Sequence, residues 1–175
     1  TMELVIDVAR KLRDEHHFRG YIHLKTIPEA SPTLIELAGR YADRISINIE
    51  LPTQESLTVL APEKNLARTQ EAMSHIKNKI EENYAERRKP NTPKPPPFAT
   101  GQSTQMIIGA DASTDAVILQ RADSLYHDYK LRRVYYSGFS PTSQPSILLP
   151  PQAPPLLREH RLYQADWLLR FYEFK

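Results

Sequence analysis

Five polar side chains recur at one parity in two short apolar runs. In RISINIEL, 44–51, a period of two puts Ile45, Ile47, Ile49 and Leu51 on one face of a strand, and Ser46, Asn48 and Glu50 on the other. In YIHLKTI, 21–27, the alternation is weaker, with Ile22, Leu24 and Thr26 opposite Tyr21, His23, Lys25 and Ile27. A parallel strand covered on both faces should be apolar on both. One polar face instead predicts a wet or ligand-filled cavity lined by His23, Lys25, Ser46, Asn48 and Glu50. The competing reading is a one-sided antiparallel sheet whose polar residues meet water. A third run, QMII, ends on Gly109 and passes through ADASTD into a helix start. Such a junction brings backbone close to a ligand, and an anion at a helix N-terminus is its simplest occupant.

The elements needed to position these residues follow from periodicity. Leu4, Val5, Val8 and Leu12 predict an amphipathic helix over 2–15, broken by Gly20. Ser31 as N-cap and Pro32 at the first helical position start a second helix after the strand 21–27. Pro52 ends the strand 44–51, and Thr53 caps a short helix through Leu60. Residues 65–87 read as a long charged helix. RRKPNTPKPPPFATG is too rich in proline for helix or inner strand and reads as an extended surface loop. A strand at QMIIG, a helix over 113–129, a strand at 131–137, a second proline-rich loop and a helix over 156–172 complete the chain. Alternating strands and helices predict right-handed βαβ units and a parallel sheet, either open or an arc of a barrel.

Composition narrows the classes. The 175 residues suit one domain or part of a larger one, with 40% hydrophobic and 25% charged residues. A net charge of +2 gives no global argument for nucleic acid. There is no cysteine, which excludes disulfides and thiolate metal sites within this chain. No run suits a membrane span and no signal peptide opens the chain, so a cytoplasmic protein without membrane contact is expected. The opening TMELVIDVARKL reads as mid-helix and the closing LLRFYEFK stops on aromatics, so both ends are expected to be cuts in a longer protein.

Other chemical candidates are weaker. His16 and His17 close a helix, where a cation complements the dipole, and they lack partner ligands at metal-binding spacing. The Glu81–Glu82 and Glu86–Lys89 charges suit a solvated helix face. Trp167, Phe171 and Tyr172 suit core or docking positions better than a stacking platform. No Walker loop and no nucleophile elbow is present.

The segments GYIHLKTIP, DRISINIELP with SLTVLAPEK, GQSTQMIIGA, RRVYYSGFSPT and LLREHRLYQADWLLRFYEF together resemble the later part of a radical S-adenosylmethionine (radical SAM) enzyme barrel. More closely, they resemble the family of DNA modification and repair radical SAM proteins linked to a uracil-DNA glycosylase. The resemblance implies an α/β fold, the C-terminal part of a partial (β/α)6 TIM-type barrel with parallel strands flanked by helices. Residues 1–140 would be barrel, and 141–175 a proline-rich loop and terminal helix packing on it or leading to a following domain. It implies S-adenosylmethionine as cofactor, and in the parent a [4Fe-4S] cluster on a CxxxCxxC loop that this chain lacks.

Residue by residue, the resemblance gives Ser46, Asn48 and Glu50 the cofactor's ribose and methionine carboxylate. Ile108 and Gly109 would support adenine through backbone and apolar contacts. The first glycine of the family's GxIxG pattern is out of register here, because Gly101 lies too far upstream. Tyr135, Tyr136 and Ser137 would lie nearest the base, where an aromatic ring can stack. Ser113 and Thr114 become ordinary helix caps. The parent would cleave the cofactor reductively to a 5′-deoxyadenosyl radical, drawing electrons from a partner such as flavodoxin or ferredoxin. Its substrate would be DNA or another nucleic acid, for which Arg87–Lys89, Lys130 with Arg132 and Arg133, and Arg158 with Arg161 are basic clusters suited to phosphate, although a solvated surface explains these charges equally well. This cysteine-free chain alone is expected to be inactive. The alternative is a non-catalytic α/β binding or scaffold module without a cluster.

Overall fold

Ser31 starts a helix because its hydroxyl accepts the Leu34 N–H at 3.3 Å, while Pro32 takes a first-turn position that needs no donor. Thr53 and Thr114 do the same for the N–H groups of Ser56 and Val117, at 3.1 and 3.4 Å. The computed structural model describes residues 1–143, 146–172 and 174. Their order is α1 (Met2–Asp14), β1 (His23–Lys25), α2 (Pro32–Tyr41), β2 (Arg44–Ser46), α3 (Gln54–Leu60) and α4 (Leu66–Arg88), then β3 (Gln102–Ile108), α5 (Asp115–Tyr129), β4 (Arg133–Gly138) and α6 (Leu156–Tyr172). The fold is α/β, with helices between successive strands of a parallel sheet in the order β1-β2-β3-β4.

The chain divides into two compact units. The first holds Thr1–Asn48 and Arg68–Ser103. Leu24 pairs with Ile45 and Ile45 with Gln102, while Lys25 pairs with Ser46 and Ser46 with Ser103. Register partners point the same way, so the two sets lie on opposite faces. The first set is turned to the helices: Gln102 donates to the Met73 carbonyl of α4 at 3.0 Å. Arg13, at the end of α1, donates to Asp43 Oδ2 at 2.7 Å and to the carbonyls of Phe18 and Gly20. The proline-rich segment after α4 is an extended strap, as its composition requires. Asn83 and Arg87 donate to the carbonyls of Pro96 and Pro95, and the Phe98 ring fills the space a side chain at Gly39 would need.

The second unit holds Ile49–Ala67 and Thr104–Lys175. Met106, Ile108, Val134 and Tyr136 are buried, as are Ile118, Ala122 and Leu125 of α5 and Leu162 of α6. The backbone of β4 is closed along one edge by side chains. Val134 N–H donates to the Tyr126 hydroxyl, Tyr136 N–H to the Tyr163 hydroxyl and Gly138 N–H to Glu159 Oε2, each at 2.9 Å. Alternate residues of a strand send their N–H groups the same way, so three donors on one edge are satisfied together.

Two strands are shorter than the alternation predicts. The first covers His23–Lys25 rather than 21–27, although the Thr26 N–H still reaches the Ser46 carbonyl at 2.8 Å. The second covers Arg44–Ser46 rather than 44–51, followed by an isolated bridge from Glu50 to Met106. From the Ser46–Ser103 pair to that bridge, one chain takes four steps and the other three, the signature of a bulge. Ile49 N–H goes to the Thr104 hydroxyl at 3.0 Å instead of a carbonyl, and Glu50 turns left-handed at φ 63°. Ile45, Ile47, Ile49 and Leu51 are all buried, and the alternation with half-buried Asn48 and Glu50 runs from Ile47 to Leu51, while Ser46 is buried as well.

Candidate functional site

The predicted residues fall in both units, and each set has its own geometry. In the first unit, register places Lys25, Ser46 and Ser103 in one row and His23 beside Arg44. Ser46 is buried and Asn48 half-buried, whereas Lys25 and His23 are exposed. The His23 Nε2 and Ser103 hydroxyl lie 3.4 Å apart. Partial burial of the ring, and then the Arg44 cation, hold the imidazole below its ordinary pKa, so His23 favours its neutral form. Arg44 lies over the Tyr21 ring at 5.9 Å. The row therefore presents hydroxyls, a neutral imidazole and two cations, a mixture suited to hydrogen-bonding a polar or anionic ligand. Arg44 and Ser103 were not among the sequence candidates. The parity of Ser103 with Gln105 and Ile107 was legible, but the register that sets it beside Ser46 was not.

In the second unit, Glu50 and the α5 C-cap Lys130 are the described residues with a Cβ and positive φ, and Glu50 is the one outside a helix cap. A left-handed conformation costs a residue with a Cβ about 1–2 kcal/mol. It is held by two hydrogen bonds, from Glu50 N–H to the Gln105 carbonyl at 3.2 Å and from Ile107 N–H to the Glu50 carbonyl at 2.7 Å. Strain maintained at a half-buried carboxylate, at the end of a strand, is a pointer to function.

Gly109 also has positive φ, +80°, and a Cβ there would come within 2.8 Å of Pro154. On that side the space a side chain would need is occupied by proline. Ile108 is fully buried, and its carbonyl accepts the Phe139 N–H at 2.8 Å. The loop beyond is closed on itself: Asp111 accepts from the hydroxyls of Ser56 and Ser113. At the start of α5, Arg158 donates to Asp115 Oδ1 at 2.7 Å and to the Ser113 carbonyl at 2.9 Å. The anion that this helix start attracts is the chain's own Asp115, and Thr114 is its cap, whereas Ser113, expected as a second cap, gives its hydroxyl to Asp111 instead.

The three β4 candidates separate by parity. Tyr136 is buried toward α5 and α6, with its hydroxyl donating to Asp166 Oδ1 at 2.9 Å and its ring edge-on to Tyr163 at 5.1 Å. It is committed to the core, which corrects the expectation that it stands near a base. Tyr135 and Ser137 are half-buried and have the opposite parity. Arg133 lies over the Tyr135 ring at 5.3 Å and the Tyr163 ring at 5.4 Å. Of the two tyrosines, Tyr135 is the one whose ring is not drawn into the core.

Among the described residues, no group of three His, Cys, Asp or Glu is placed to hold a metal ion, His16 and His17 included. No helix is long and apolar enough to cross a membrane. Comparison with protein-family models and with curated proteins gave no match.

Proposed function

We propose that the chain is the later part of a radical S-adenosylmethionine enzyme acting in nucleic-acid modification or repair, and that its strand-end residues hold the adenosine half of the cofactor. The observation that carries this reading is the winding. Strand order follows chain order through β1-β2-β3-β4, the winding of a barrel arc, whereas a dinucleotide-binding sheet reverses at a switch point. With right-handed crossovers, that order leaves one face of the sheet to the helices and the other to a ligand.

The donor set suits a nucleoside. A half-buried carboxylate at Glu50 can accept from two sugar hydroxyls, Asn48 can both donate and accept, and Tyr135 offers a ring to a base. Ser46 adds a hydroxyl, and the backbone at Ile108 and Gly109 ends the neighbouring strand. The chain carries no thiolates and does not fit an iron–sulfur cluster. The cluster belongs to other residues of the parent, and a reducing partner such as flavodoxin or ferredoxin serves it there. Bound S-adenosylmethionine would supply reductive cleavage and hydrogen-atom abstraction, while this chain's residues orient the nucleoside and exclude water from it.

The lack of a metal-binding group among the described residues favours one second reading, a non-catalytic module with the same polar face. Two measurements separate them. An anaerobically reconstituted parent that carries a CxxxCxxC loop forms 5′-deoxyadenosine from S-adenosylmethionine under reduction. In that parent, Asn48→Ala and Glu50→Ala each weaken S-adenosylmethionine binding by about tenfold, the worth of a hydrogen bond to a charged group. Unchanged affinity in both variants removes the nucleoside assignment. A parent gene without the cysteine loop leaves the module reading.

A further inference from the structure

The second unit has a groove far from the candidate strand ends. Its volume is about 910 Å³, and it runs between the C-terminal turns of α5 and α6. Arg132, which precedes β4, lines it, whereas Ser137 and Gly138 lie at the other end of that strand, roughly 20 Å away at 3.3 Å per residue. The groove therefore goes beyond the cofactor reading and does not rest on it.

Two kinds of side chain meet there. His127, Lys130, Arg132 and Arg170 supply nitrogen cations or a titratable imidazole, against Asp123 as the acidic lining residue among the described positions. Asp123 is engaged with His127 at 3.3 Å. Arg170 is fixed: its Nε donates to Asp166 at 2.8 Å, and its guanidinium lies 5.0 Å from the Phe171 ring centroid. Lys130 and Arg132 are exposed. Phe171 and Phe174 also line the groove and are 62% and 59% exposed, unusual for phenyl rings with no polar atom to keep in water. Trp167 lies 5.8 Å from Phe171, so exposed rings recur at 167, 171 and 174. A cationic wall beside exposed rings matches a strand whose phosphates need charge and whose unpaired bases need stacking surface. A duplex keeps its bases stacked on one another, and a purely acidic peptide such as polyglutamate has no flat or apolar side chain to set against the rings.

We propose that this groove binds single-stranded nucleic acid, with phosphates on Lys130 and Arg132 and bases stacked on Phe171 and Phe174. The test is fluorescence anisotropy with a labelled oligothymidylate of about 12 nucleotides, at salt from about 50 to about 200 mM. Phe171→Ala and Phe174→Ala are each expected to weaken binding about tenfold, at the lower end of base–aromatic stacking. The double variant Lys130→Ala/Arg132→Ala is expected to lower the slope of log affinity against log salt by about 1.4, two single-strand phosphate contacts. All four side chains are exposed, and unchanged far-ultraviolet circular dichroism confirms the fold of each variant. S-adenosylmethionine affinity of the parent stays unchanged in all of them, so a failure here is distinct from a failure of the cofactor reading. No binding at low salt overturns the proposal. So does binding indifferent to both phenylalanines, or a polyglutamate peptide that competes at equal affinity.

Discussion

The Tyr163 hydroxyl closes a two-way link with the backbone of Tyr136: it accepts the Tyr136 N–H at 2.9 Å and donates to the Tyr136 carbonyl at 3.0 Å. One side chain thus does for an edge strand what a neighbouring strand would otherwise do. Tyr126 and Glu159 extend the same edge to Val134 and Gly138. Exposed strand edges recruit other chains, and β4 is closed against that by side chains of α5 and α6.

Tyr163→Phe keeps the ring contact with Tyr136 and removes only the oxygen. Both backbone groups of Tyr136 then lose their partner. The expected loss is about 1–3 kcal/mol of stability, the range for leaving part-buried polar groups unsatisfied. Denaturant unfolding measures it. A loss within experimental error would show that the edge is held by packing alone.

Asp166 is fully buried and accepts from Tyr126 at 2.5 Å, Tyr136 at 2.9 Å and Arg170 Nε at 2.8 Å. Asp166→Ala strands a guanidinium and two hydroxyls at once and is expected to cost about 3–5 kcal/mol. Asp166→Asn retains an acceptor for the hydroxyls but loses the charge opposite Arg170, so its cost is smaller, about 1–3 kcal/mol. Equal costs for the two variants would remove the charge from the explanation.

The same cluster makes stability fall at high pH. Burial, and then the Asp166 charge, push the hydroxyls of Tyr126 and Tyr136 well above the ordinary tyrosine range. Below pH about 10, both folded and unfolded chains keep these protons and stability does not respond to them. Above it, the unfolded chain releases protons that the folded one retains, so stability drops as pH rises, by up to about 1.4 kcal/mol per unit for each hydroxyl. Tm measured from pH 9 to 11 should fall progressively, and Tyr126→Phe/Tyr136→Phe should flatten the slope.

Two positive-φ residues should respond in opposite senses. Glu50→Gly removes the cost of a Cβ in the left-handed region and is expected to stabilise the chain by about 1 kcal/mol while discarding the proposed nucleoside carboxylate. Gly109→Ala introduces that cost and drives a methyl group into Pro154, so it destabilises by more than about 1–2 kcal/mol. Adding Pro154→Gly, which removes the Cβ at 2.9 Å as well as the Cγ at 2.8 Å, should recover the steric part and leave the backbone part. Glu50→Gly without any gain in stability would mean that the glutamate side chain compensates its own strain.

Much of the architecture was legible because it depends on local chemistry. Caps at Ser31, Thr53 and Thr114 and the proline-rich strap after α4 act within a few residues, where covalent geometry and one hydrogen bond decide the outcome, whereas α1 ends at Asp14 and β2 at Ser46, each before the expected stop at Gly20 or Pro52. The period of two in RISINIEL likewise survives in the burial of Ile45, Ile47, Ile49 and Leu51.

Pairing was not legible. Whether Glu50 continues a ladder depends on its partner strand, and the bulge before it comes from a hydroxyl, Thr104, taking the N–H that a carbonyl would have taken. Tyr135 and Tyr136 are adjacent and chemically alike in sequence. Only Asp166, thirty residues beyond Tyr136, decides which ring is drawn into the core. The groove between the last turns of α5 and α6 likewise needs Lys130 and Phe171 brought together from separate helices. The sequence by itself determined the helix caps at Ser31, Thr53 and Thr114 and which apolar side chains of 21–27 and 44–51 share a face, because those are short-range effects. Tertiary structure decided register, the commitment of Tyr136 and the meeting of cations with rings, because each requires contact between residues far apart along the chain.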